Sequence, residues 1–188
     1  MTGLGAMVAI QVRTGWKAFA TWVVALGATM LATTTSISGL YDTPAKMRTY
    51  AEAVRQGDAL GAINGRVAGV DTLGGIVANE FGFVASFAIP LMAISLVART
   101  TRRDEERGRL EALLAGRIDR SAPLVSALVL AAGALVLTAA ALLLGLLLVG
   151  VPAGDSLLYA ASMGALGLAF AGVAAVAAQL VEHSRGVY

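Results

Sequence analysis

Four long apolar stretches without a single Asp, Glu, Lys or Arg dominate the chain. They run from about Ala18 to Ser38, Phe81 to Ala98, Ala122 to Gly150 and Ser156 to Val181. A helix needs roughly 20 apolar residues, at about 1.5 Å each, to cross a hydrocarbon layer of about 30 Å. Each stretch meets or approaches that length, and the third is long enough to tilt. Of the 188 residues, 57% are hydrophobic and 14% charged, whereas a soluble domain carries about 25% charged residues. A globule of this size cannot bury so much apolar surface. The surplus requires lipid, so the expected fold is all-α: a polytopic membrane helix bundle with four transmembrane helices.

The basic residues orient the spans. Arg13 and Lys17 precede the first. Arg99, Arg102, Arg103, Arg107, Arg109, Arg117 and Arg120 lie between the second and third, and Arg185 follows the fourth. The connection Val151-Pro-Ala-Gly-Asp155 has no base. Segment 39–80 balances Lys46, Arg48, Arg55 and Arg66 against Asp42, Glu52, Asp58, Asp71 and Glu80. Both termini and the arginine loop 99–121 are therefore expected in the cytoplasm, and the other two connections outside. The seventeen-residue lead and the length of the first stretch favour an uncleaved helix over a signal peptide.

Within residues 1–17, Leu4, Val8, Val12 and Trp16 recur every four positions. They form one stripe of a helix that either lies in the cytoplasmic interface or simply continues the first span. In segment 39–80, Thr43 followed by Pro44 is a helix start, a capping hydroxyl and then proline at the first helical position. Met47, Tyr50, Ala51 and Val54 give that helix an apolar face, and Gly57 ends it. The glycine-rich stretch Gly61 to Gly75 lacks the Gly-Lys-Ser/Thr ending of a phosphate loop and is expected to be turns at the membrane surface.

The arginine loop interleaves its bases with Asp104, Glu105, Glu106, Glu111 and Asp119. Leu110, Leu113 and Leu114 fall at helical spacing, so Glu106 to Leu114 can form a short helix ended by Gly116. A lipid-anchoring patch would be basic only. The mixed signs and the leucine patch leave a solvated loop or a protein-docking helix. In the spans, Thr33, Thr34 and Thr35 either return hydroxyl bonds to their own backbone or line a polar path. Pro90 should kink the second span and free a carbonyl. Ala161, Ala165 and Ala169 form a small-residue ridge for close packing.

Several chemistries are excluded. With no cysteine and one histidine, His183, there is no thiolate or His-rich metal site. No ionisable residue lies inside the four stretches, so the acid of an ion-coupled transporter is missing. No P-loop occurs, so the energy for any transport must come from a partner. Glu80 and Asp155 stand alone at the outer edges.

The loop resembles the coupling region of type-2 ABC transporter permeases, more narrowly the exporters of polyketide antibiotics. The matching positions are Arg102, Arg103, Glu105, Glu106, Gly108, Arg109, Glu111, Leu113, Leu114 and Arg120. Tyr41 to Tyr50 and Asp71 to Gly75 also resemble that subfamily's first outer loop. Ile118 stands where related permeases often carry proline. The resemblance implies a permease subunit that exports lipophilic or amphipathic compounds. It would be driven by ATP and Mg on two separate ATPase subunits, with no cofactor on this chain and no nucleic-acid partner. Glu106, Glu111, Arg117 and Arg120 would make polar contacts with the ATPase, and Leu113 and Leu114 the apolar anchor. Such permeases have six spans per half, so the chain is expected to be the amino-terminal part of a longer permease. A non-transporting membrane scaffold and a lipid-acting membrane enzyme are the alternatives.

Overall fold

The computed structural model describes residues 3–57, 68–101, 105–106, 119, 121–181 and 184–187. Those residues form five α-helices and a final 3-10 turn. Helix α1 spans Leu4–Leu40, α2 Pro44–Gln56, α3 Leu73–Thr100, α4 Ala122–Leu148 and α5 Ala153–Leu180. Helices α1, α3, α4 and α5 are long and apolar enough to cross a membrane. The chain is a multi-pass, all-helical membrane protein. Val24, Phe87, Val136, Leu148, Leu158 and Leu180 are each more than 60% exposed. In water, apolar faces of that extent would drive association; in a bilayer they meet the acyl chains.

The elements begin and end where local chemistry dictates. Thr43 caps α2, its side chain accepting from the Lys46 N–H at 3.4 Å, with Pro44 at the first helical position. Gly57 closes the helix by donating to the Val54 carbonyl at 3.3 Å. The expected apolar face of α2 is the covered one: Ala51 is buried and Met47, Tyr50 and Val54 are half-buried. Helix α3 starts two turns earlier than the apolar stretch indicated, at Leu73 instead of Phe81. The glycine pair Gly74-Gly75 disfavours a helix by propensity, but Thr72 Oγ1 accepts from the Gly75 N–H at 3.1 Å and supplies the cap.

Helix α1 is continuous, with no break at Lys17 between the expected interfacial and spanning parts. Its 37 residues reach about 56 Å, well beyond the hydrocarbon thickness. The buried face of its first turns is Met7, Gln11 and Gly15, not the stripe of Leu4, Val8, Val12 and Trp16. Val12 and Trp16 are 42% and 55% exposed. Helix packing here selects Met7, an amide and a glycine, and leaves Val12 and Trp16 facing outward.

Two compact units can be distinguished. The first comprises residues 1–24, 89–137 and 164–188, the second 25–88 and 138–163. The first has a core of small and branched residues, including Ala93, Val97, Ala131, Ala171, Ala174 and Ala178. Its α5 face is the series Gly167, Ala171, Ala174 and Ala178, at alternating steps of four and three. The expected ridge of Ala161, Ala165 and Ala169 lies on the opposite, exposed side of α5. The second unit buries Met30, Ile76, Val77, Phe81 and Leu142.

Candidate functional site

Hydroxyl groups in the long helices turn back on their own backbones. Thr34 Oγ1 donates toward the Met30 and Leu31 carbonyls at 2.9 and 3.0 Å, and Thr35 Oγ1 to Leu31 at 2.7 Å. Ser86, Ser95, Ser126 and Ser162 likewise donate to carbonyls three residues earlier, at 2.7 to 2.9 Å. Such bonds satisfy the hydroxyl within one helix. Thr34 is fully buried, Thr35 exposed, and Thr33 half-buried at the edge of a shallow groove with Ser36, Tyr41 and Glu80. Pro90 is buried within α3, which continues across it.

Three places stand out against this self-contained background. The first is the foot of the arginine loop. Gln11 is 1% exposed, and its Nε2 donates to the Thr100 carbonyl at 2.9 Å. Thr100 is the last residue of α3 and immediately precedes the loop. The bond joins residues 89 apart in sequence and ties the beginning of α1 to the point where the loop departs. Thr101, also buried, fixes the same point by donating to the Val97 carbonyl at 2.7 Å. Sequence reasoning missed Gln11; a lone amide among apolar residues on a membrane helix was the available signal.

Of the proposed docking residues, Glu105 and Glu106 are described: both are helical and exposed, and the Glu105 N–H donates to the Thr101 carbonyl at 3.1 Å. Arg102, Arg103, Gly108, Arg109, Glu111, Leu113, Leu114, Arg117 and Arg120 lie outside the described residues.

The second place is a polar junction between α2 and α3. Tyr50 Oη donates to Glu80 Oε1 at 2.5 Å and accepts from Asn79 Nδ2 at 2.7 Å. Tyr41 packs edge-on against the Tyr50 ring at 5.1 Å. Glu80, isolated in sequence, thus acquires a partner 30 residues away. Burial, and then the bond to Glu80, pushes the Tyr50 phenol above its ordinary value of 10.0. With the folded value raised, the contribution is complete below pH 10 and is lost only as pH rises past the folded value. Replacing Tyr50 by Phe leaves Asn79, 5% exposed, without this partner. The expected cost is about 1 kcal/mol. Amide hydrogen exchange should accelerate across Pro44–Gln56 and leave α4 unchanged; equal protection in both proteins would refute the tie.

The third place is a cavity of about 840 Å³ in the second unit, lined by the start of α3, the α4–α5 turn and the first turns of α5. Asp155 is the one charged side chain among its described lining residues. Gly69, at φ +70°, turns the chain ahead of α3, and Thr72 Oγ1 donates to its carbonyl at 2.7 Å. Among the described residues no group of three or more His, Asp or Glu side chains could hold a metal ion.

No family model matches the chain. Over 150 residues, 80% of its length, it is 35% identical to the multidrug efflux system permease protein of Mycobacterium tuberculosis. The chain spans about a quarter of the length of that curated relative, the matched region being 27% of it.

Proposed function

We propose that the chain is a membrane-spanning permease component of an ATP-driven exporter of lipophilic or amphipathic compounds, and that separate ATPase subunits power it. The observation that carries this reading is similarity to a multidrug efflux permease across 80% of the chain. The same reading accounts for four long helices whose apolar stretches carry no Asp, Glu, Lys or Arg. It places both termini and the arginine loop in the cytoplasm of a bacterial cell membrane. The resemblance in the loop supports a type-2 permease of the subfamily exporting polyketide antibiotics, which would work with a second permease half.

In this mechanism the loop residues Glu106, Glu111, Leu113, Leu114, Arg117 and Arg120 dock in a groove on the ATPase. ATP-driven closure of two ATPase subunits pushes the loop and shifts the bundle between two rigid-body states. The Gln11–Thr100 bond gives that push a route: displacement at the foot of the loop acts on the first turns of α1. Substrate binding belongs to the permease, and nucleotide chemistry to the partner.

The test is co-purification. A P-loop ATPase is expected to accompany the native protein, and Glu111→Lys combined with Leu114→Asp is expected to abolish it. Retention of the ATPase by the double variant would overturn the docking assignment. Unchanged drug tolerance on deleting the gene, with no ATPase recovered, would overturn the exporter reading in favour of a scaffold.

A further inference from the structure

The start of α1 presents a charged face that its packing does not use. The helix runs unbroken through Lys17, so residues on either side of the hydrocarbon edge share one regular register. At about 100° per residue, Arg13, Lys17, Ala20 and Val24 fall within about 60° of one another, opposite the buried Gln11 and Gly15. Arg13, Lys17 and Val24 are all exposed.

Depth and charge both single out this face. The apolar stretch begins at Ala18, so Arg13 and Lys17 stand just outside the hydrocarbon. They are separated by about 6 Å along the axis, at about 1.5 Å per residue. A headgroup layer is about 5–8 Å thick, half the difference between a bilayer and its core. The two bases therefore span that layer, one turn apart. Trp16, 55% exposed, stands beside them at the level where tryptophan is favoured. Arg99 lies in the last turn of α3, which the Gln11–Thr100 bond holds at the same height, and it adds to the positive field there. The first acid in the sequence is Asp42, so α1 itself carries none. Unlike the arginine loop with its mixed signs, this face is basic only, the pattern that attracts anionic lipid.

We propose that this face of α1 holds a phospholipid with an anionic headgroup. The planar Arg13 guanidinium donates in parallel to two phosphate oxygens. The Lys17 ammonium, its stem laid along the helix, reaches the same phosphate. The Trp16 indole N–H donates to an ester carbonyl at the glycerol level, and the acyl chains run over Ala20 and Val24. A zwitterionic headgroup would bring its own ammonium to a face that already carries two cations. The inference stands apart from the exporter reading, since it needs only that α1 crosses a bilayer.

Trp16 and Trp22 are the chain's two tryptophans, so in a Trp22→Phe background the fluorescence of Trp16 reports which lipids touch this face. The full chain would be reconstituted in phosphatidylcholine vesicles. Phosphatidylglycerol brominated near the headgroup end of its acyl chains is then titrated in, with brominated phosphatidylcholine as the reference. Quenching is expected to favour phosphatidylglycerol, by about fivefold for each base. Arg13→Gln combined with Lys17→Gln is expected to bring the two lipids to parity. Exchanging the two bases, Arg13→Lys with Lys17→Arg, should retain the preference, and Arg48→Gln on α2 should leave it unchanged. Equal quenching by both lipids in the Trp22→Phe chain, or an undiminished preference in the double glutamine variant, would overturn the site. Resistance to SDS-induced unfolding in phosphatidylcholine mixed micelles tests the competing partner. Unchanged stability of the double variant there, with the preference lost, supports the lipid. Lost stability there would assign the two bases to acids of the arginine loop and overturn the site. No ATPase enters the measurement, so this site and the exporter reading fail separately.

Discussion

Gly75→Ala is expected to destroy the turn that leads into α3, at a cost of about 4 kcal/mol or more. A Cβ on Gly75 would lie within van der Waals overlap of the Gly69 carbonyl oxygen and carbon and the Val70 nitrogen. These are backbone atoms, so no rotamer change relieves the collision. The turn must move, and with it the Thr72 cap and Val70, which is 4% exposed. The check is resistance to SDS-induced unfolding in mixed micelles, with hydrogen exchange across 68–78. Gly5→Ala is the control, because an added methyl group there meets nothing within 4 Å. If the two variants are equally stable, the close passage of Gly75 over Gly69 is wrong.

Gly167→Leu is expected to have a comparable effect through side-chain packing in the first unit. Even a methyl group on Gly167 would stand 2.1 Å from Leu135 Cδ2 and 2.9 Å from Ile89 Cγ2. Leu135 and Ile89 are 2% and 1% exposed, so neither has free space to retreat into. Overpacking of this kind costs about 1–3 kcal/mol for an extra methylene or two and more for a whole leucine. Gly133→Ala on α4 is the matched control: its added methyl group meets nothing, and helix propensity alone should stabilise it by about 1 kcal/mol. The predicted ordering, Gly133→Ala above native and Gly167→Leu far below, is read from the same SDS titration. Any other order counts against the α3–α4–α5 contact at Gly167.

Hydropathy made the long helices legible, because a bilayer demands uninterrupted apolar stretches and the chain supplies them. The capping chemistry of Thr43 and Pro44 made α2 legible down to its apolar face. The second apolar stretch is read from Phe81 because Glu80 interrupts it, whereas helix α3 extends back to Leu73, where the Thr72 cap starts it. The stripe on α1 misled for a different reason. In lipid, an apolar side chain has no need to turn inward, so Val12 and Trp16 face outward and the packed face is the one carrying Met7, Gln11 and Gly15. Glu80 looked solitary since its partner comes from a separate helix, and the cavity beside Asp155 arises from side chains that are absent. Neither could be seen in local spacing.

The back-bonded hydroxyls bear on how the protein is made. A helix whose Ser and Thr groups are satisfied by its own carbonyls enters the hydrocarbon without waiting for a neighbour. Insertion can therefore come before assembly for most of these sequences. Gln11, Asn79 and Tyr50 differ, since their bonds exist only when a second helix is in place. A mispaired intermediate would leave those few groups without these bonds, so correct pairing of the helices is favoured by them.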